Sequence, residues 1–82
     1  MIKVLFFARL REQLGTPECR VTWCDNMTVQ SLMNYLLTNN DDKWQSLLAE
    51  EVVVAINQQV VNRDARIADG DELAFFPPVT GG

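Results

Sequence analysis

One stretch of this chain has the spacing of a full amphipathic helix. Val29, Leu32, Met33, Leu36 and Leu37 recur at i, i+3, i+4, i+7 and i+8 behind Thr28, a good N-cap, and Asn39-Asn40-Asp41-Asp42 ends the run. Around it the apolar residues come in short runs that suit strands. Ile2 to Ala8 is almost wholly apolar and opens with β-branched and aromatic residues, as a central strand does. Cys19, Val21 and Trp23 alternate with Arg20, Thr22 and Cys24, which predicts a strand with the two cysteines on opposite faces. Val52 to Ile56 and Gln59 to Val61 flank Asn57-Gln58, a two-residue connection that predicts a tight hairpin. Asp69-Gly70 makes the last turn, and the strand Glu72 to Phe76 must stop at Pro77-Pro78. Two smaller segments complete the reading. Ala8 to Leu14 places Leu10 and Leu14 four apart before Gly15, a two-turn helix with a glycine C-cap. Lys43 to Leu48 predicts one further turn carrying Trp44, Leu47 and Leu48 inward, and Arg63 to Asp69 reads as a connector.

With 82 residues there is room for a single domain, and a composition 48% hydrophobic and 22% charged is that of a folding chain. One helix across a mixed sheet, with the first and last strands central and parallel, is an α+β, β-grasp arrangement. The expected division is a folded domain over 1–76 and an extended tail over 77–82.

Several function classes fall away on composition. A net charge of -4 has the wrong sign for holding phosphates, so nucleic acid is not an expected partner. The chain has no histidine, which removes the commonest general base and metal ligand together. Its two cysteines cannot enclose a metal alone, and an iron–sulfur centre needs four. No apolar run approaches the roughly twenty residues that span a bilayer, and no secretory leader is evident, so a soluble, cytoplasmic protein with reduced thiols is expected. Asp69, Asp71 and Glu72 could touch a cation, but acids around a glycine turn are more simply solvated turn residues. Neither cysteine has a neighbour that would activate it.

Strand alternation assigns the faces of the sheet. If Ile2, Val4 and Phe6 face the helix, Lys3, Leu5 and Phe7 face away; Leu73 and Phe75 likewise go in, leaving Glu72, Ala74 and Phe76 out. The hairpin pairs Ile56 with Gln59, Ala55 with Val60 and Val54 with Val61, so Val54 and Val61 go in while Ala55 and Val60 go out. The far face thus collects Leu5, Phe7, Val53, Ala55, Val60, Ala74 and Phe76. Such a patch is expected to be an interaction surface; the alternative is that the short helix or residues 43–50 fold over it.

Pro77-Pro78 leave the last strand as a stiff extended stub, and Gly81-Gly82 end it without side chains. At ~3.3 Å per residue the six residues from Pro77 reach roughly 20 Å, enough to deliver a carboxylate into another protein's tunnel. The run from Gly70 to Gly82, Gly-Asp-Glu-Leu-Ala-Phe-Phe-Pro-Pro-Val-Thr-Gly-Gly, closely resembles the C-terminus of the MoaD-type sulfur carriers, the small subunits of molybdopterin synthase. The opening Ile2-Lys3-Val4-Leu5-Phe6-Phe7-Ala8, the Arg11-Glu12 pair before Gly15, and Ala55-Ile56-Asn57-Gln58 are similar to the same family in the same order. The resemblance implies a β-grasp protein that is not an enzyme on its own. It implies that the Gly82 carboxylate is adenylated by a ubiquitin-activating-like adenylyltransferase that holds ATP and magnesium. Sulfur from a donor protein then gives a thiocarboxylate. It further implies that Val79, Thr80 and Gly81 carry the tail into the large synthase subunit, where sulfur converts cyclic pyranopterin monophosphate to molybdopterin. Phe7, Val60, Phe76, Pro77 and Pro78 match the family's contact surface, and the assembly implied is a heterotetramer of two small and two large subunits. Delivery of sulfur for thiamine or another thio-cofactor, attachment to target lysines as a ubiquitin-like modifier, and a plain interaction module with an inert tail are the competing readings.

Overall fold

The computed structural model describes residues 1–48 and 52–77. The chain runs β1 (Ile2–Phe6), α1 (Ala8–Leu14), β2 (Glu18–Val21), α2 (Val29–Thr38), a 3-10 segment (Asp42–Leu48), β3 (Val53–Ile56), β4 (Gln59–Val61) and β5 (Glu72–Phe76). The five strands form one sheet in the order β2-β1-β5-β3-β4. β1 and β5 pair in parallel at its middle and the other neighbours are antiparallel. This is the expected α+β, β-grasp arrangement, with α2 packed across one face.

Local chemistry sets the element ends. Thr28 caps α2 through a capping box: its hydroxyl accepts from the Ser31 N–H at 3.2 Å, and its own N–H donates to Ser31 Oγ at 2.9 Å. Gly15 closes α1 in the left-handed region at φ 74°, donating its N–H to Arg11. Asn57 and Gln58 form the hairpin turn with φ of 49° and 72°, and the register is the expected one, Val54 with Val61, Ala55 with Val60 and Ile56 with Gln59.

The core lies on the helical face of the sheet. Ile2, Val4 and Phe6 of β1 and Leu73 and Phe75 of β5 are buried against Leu32, Met33 and Leu36 of α2 and Leu10 and Leu14 of α1. Phe6 meets Trp44 edge-on at 5.3 Å and stacks with Phe75 at 6.0 Å. Each such fully buried side chain contributes about 1.5–3 kcal/mol, so stability is concentrated on this face.

Three expectations need correction. The first strand ends at Phe6, not Ala8: Phe7 stays extended, but Ala8 takes φ 52° and opens α1. That kink lets Phe7 remain on the far face while Leu10 and Leu14 return over the core. The second strand stops at Val21, so Cys24 is an exposed loop residue and not part of a strand, while Cys19 packs against the core. Leu48 is 41% exposed, because in the tighter 3-10 winding Trp44 and Leu47 alone of the three turn inward. The connector Arg63 to Asp69 also reaches the core. Ile67 and Met27 are buried where the Ile67 N–H donates to the Met27 carbonyl at 2.9 Å, beside a bridge between Thr28 and Arg66.

Candidate functional site: the helix-free face of the sheet

Parity along β1, β3, β4 and β5 puts one set of side chains on the face that α2 leaves bare. Among the described residues the alternative, a cover over this face, does not form: α1 and the 3-10 segment Asp42–Leu48 both pack with the core, through Leu10, Leu14, Trp44 and Leu47. Phe7, Val60 and Phe76 remain 40%, 74% and 37% exposed, a large apolar area for so small a surface.

The face has a definite shape. Leu5, Ala74, Ala55 and Val60 are register partners in one row across four strands. The two small residues sit in the middle of that row, between taller ones. Ala55 points away from the core yet is only 4% exposed, sunk among its neighbours. Above this row the rings of Phe7 and Phe76 stack at 4.7 Å with an interplanar angle of 7°. Below it stand Gln58 and Glu72, and together these residues line a depression of about 300 Å³. The Phe7 N–H donates to the Phe75 carbonyl at 3.1 Å, which fixes the end of β1 against β5.

The structure thus brings Phe7, Val60 and Phe76 together as the sequence predicts. Pro77 follows Phe76 directly and is half-buried. Pro78, Val79, Thr80, Gly81 and Gly82 lie outside the described residues. Gln58 was missed as a lining residue, since its role as the second turn residue hid its reach toward the face.

The remaining candidates have other employment. Asp69 pairs with the amino group of Met1, and Asp71 accepts from the Ala68 N–H at 2.8 Å and from Asn57 Nδ2 at 2.9 Å. Asn57 Oδ1 in turn accepts from the Glu72 N–H at 3.0 Å, tying the hairpin turn to the start of β5. Cys19 borders a second depression, of about 280 Å³, between β2 and the C-terminal end of α2. Burial, with the Glu18 carboxylate adding to it, pushes its thiol up, the opposite of what a nucleophile needs. The bare face can grip a partner, and among the described residues it has no acid–base pair or activated nucleophile. No helix among the described residues is long and apolar enough to cross a membrane.

The sequence matches the ThiS family over residues 4–82. It is 46% identical to the molybdopterin synthase sulfur carrier subunit of Escherichia coli (strain K12), with 100% of each chain covered. It is 39% identical to the subunit of the same name from Haemophilus influenzae, again over the whole of both. Among solved structures, SAMP1 from Haloferax volcanii superposes with a TM-score of 0.81 at 27% identity, covering 99% of this chain and 98% of that one.

Proposed function

The chain belongs to the ThiS family, and from that membership we propose that it is the sulfur carrier subunit of a molybdopterin synthase. The observation that carries this reading is the geometry at the end of β5. Phe76 stacks on Phe7 within the bare apolar face, and the sequence runs from there straight to Gly81-Gly82. A partner that grips this face receives the terminal glycines at a fixed point of departure.

In this reading the domain, 1–76, is the handle, and 77–82 is the working segment. An adenylyltransferase binds the handle and joins the Gly82 carboxylate to the α-phosphate of ATP, with magnesium held by that enzyme and pyrophosphate released. The acyl-adenylate gives the carbonyl carbon a good leaving group. Sulfide-level sulfur supplied by a donor protein attacks that carbon, displaces AMP and leaves a Gly82 thiocarboxylate. The large synthase subunit then takes the same handle, draws Val79, Thr80 and Gly81 into a passage whose far end, at Gly81-Gly82, is too narrow for a side chain, and supplies the catalytic side chains. There the sulfur bonds to cyclic pyranopterin monophosphate and water cleaves the acyl C–S bond, returning the Gly82 carboxylate, within a heterotetramer of two small and two large subunits. The free thiols Cys19 and Cys24 fit a reducing cytoplasm.

The test is reconstitution with the large subunit, the activating enzyme, ATP, magnesium and a sulfur source. Removing Gly82 should abolish molybdopterin formation while far-UV circular dichroism stays native. Pterin conversion by the shortened chain at the wild-type rate would refute the carrier role.

A further inference from the structure

We propose that the alanine-floored depression on the bare face is a socket for one side chain of the docking partner, an arginine whose guanidinium pairs with Glu72. This rests on the reading of that face as the docking surface, and it specifies what the partner must present to it.

The socket follows from the row Leu5–Ala74–Ala55–Val60. Ala74 and Ala55 face each other across β5 and β3, so the floor is two methyl groups wide with taller side chains on both flanks. A flat partner surface resting on Val60, Phe7 and Phe76 would leave that floor unfilled. Interfaces that bind tightly fill such pockets with a protruding anchor, because an unfilled one forfeits packing contacts.

Charge identifies the anchor. Glu72 and Phe76 lie four residues apart on β5, or ~13 Å, so the trough is aromatic at one end and anionic at the other. Glu72 is half-buried, and no hydrogen bond or ion pair engages its carboxylate among the described residues. Its backbone, however, is held in place, its N–H donating to Asn57 Oδ1 and its carbonyl accepting from the Asn57 N–H at 2.8 Å. Lys3 is its register neighbour on β1, but the two make no ion pair and Lys3 does not line the depression. A purely apolar partner would strip water from this carboxylate and return nothing, a costly exchange. Arginine fits the trough: an apolar stem to lie on the alanine floor and a planar cation that pairs with the carboxylate through two parallel hydrogen bonds. The Gln58 amide at the rim adds a further polar contact for the same group.

The experiment measures binding of the full-length chain to the purified large synthase subunit by calorimetry at low and high salt. It compares wild type with Glu72→Gln, Ala74→Leu and Phe76→Ala, and each variant is checked by thermal unfolding. The socket predicts that Glu72→Gln loses about tenfold in affinity at low salt and shows a flatter salt dependence, since an ion pair becomes a hydrogen bond from the cation to an uncharged amide. Ala74→Leu, which fills the floor from the solvent side, should lose at least as much. If Phe76→Ala weakens binding while Glu72→Gln and Ala74→Leu bind as wild type, the socket is overturned and the docking face stands. If Phe76→Ala also binds as wild type, the docking face itself is wrong.

Discussion

Cys19 and Cys24 stand close in sequence, yet their surroundings differ. Cys19 packs against the core and its thiol is pushed up by burial, so at any pH near neutrality it offers less of the reactive thiolate than an ordinary cysteine. Cys24 is exposed in the loop after β2. A maleimide reagent at pH 7.5 should therefore label Cys24 first and leave Cys19 largely unmodified in the folded protein, as read by peptide mass; equal rates at the two sites would contradict the burial of Cys19. At the other end of the chain, Gly81 is proposed to act through access and not through folding. The core of the described residues closes at Phe75, so Gly81→Ala should change stability by no more than the ~0.5 kcal/mol usual at surface sites. Sulfur transfer should nonetheless fall sharply. Wild-type transfer by this variant would remove the argument that the tail must pass a narrow opening.

Among the elements, the β3–β4 hairpin combines a legible pattern with a local conflict. Asn57 and Gln58 both sit at positive φ, and a glycine is the natural occupant of the second position. A glutamine there carries left-handed backbone strain, so Gln58→Gly should stabilise the domain by about 0.5–1 kcal/mol and raise its unfolding temperature by a few degrees. A lowered unfolding temperature would mean that the Gln58 side chain contributes more to the fold than its backbone costs. The hairpin register and α2 were readable because periodicity and turn chemistry are local signals: the stripe from Val29 to Leu37 and the two-residue loop each fix their own geometry. The helix-free face was readable for the same reason, since a strict alternation along β1 and β5 sorts Phe7 and Phe76 away from Phe6 and Phe75. What escaped the sequence depends on distant partners. The kink at Ala8 exists because α1 must return over the core, and nothing in alanine itself signals a positive φ. Ile67 and Met27 enter the core singly, through a connection that lashes 65–67 to the start of α2, where the Val29 N–H donates to the Ala65 carbonyl at 3.0 Å. The sunken position of Ala55 comes from the height of its cross-strand neighbours, which parity alone does not give.

At the scale of the whole molecule, the two faces of one sheet divide the work. The helical face carries the burial that holds the chain together, and the bare face is free to be covered and uncovered by partners without unfolding. One consequence concerns order of events. If the activating enzyme and the large synthase subunit use the same bare face, each must release the carrier before the other can bind. Titrating the large subunit into a preformed carrier–adenylyltransferase complex should displace the enzyme with a stoichiometric exchange, as followed by size-exclusion chromatography; a stable complex of all three would place the two docking sites apart. The central claim, that sulfur travels on the terminal carboxylate, has a more direct test. The intact protein is weighed by mass spectrometry before and after incubation with its activating enzyme, ATP, magnesium and a sulfur source, and the modified peptide is then sequenced. The account predicts a single oxygen-for-sulfur exchange on Gly82 with Cys19 and Cys24 unchanged, whereas sulfur on either cysteine, with the Gly82 carboxylate intact, would contradict it.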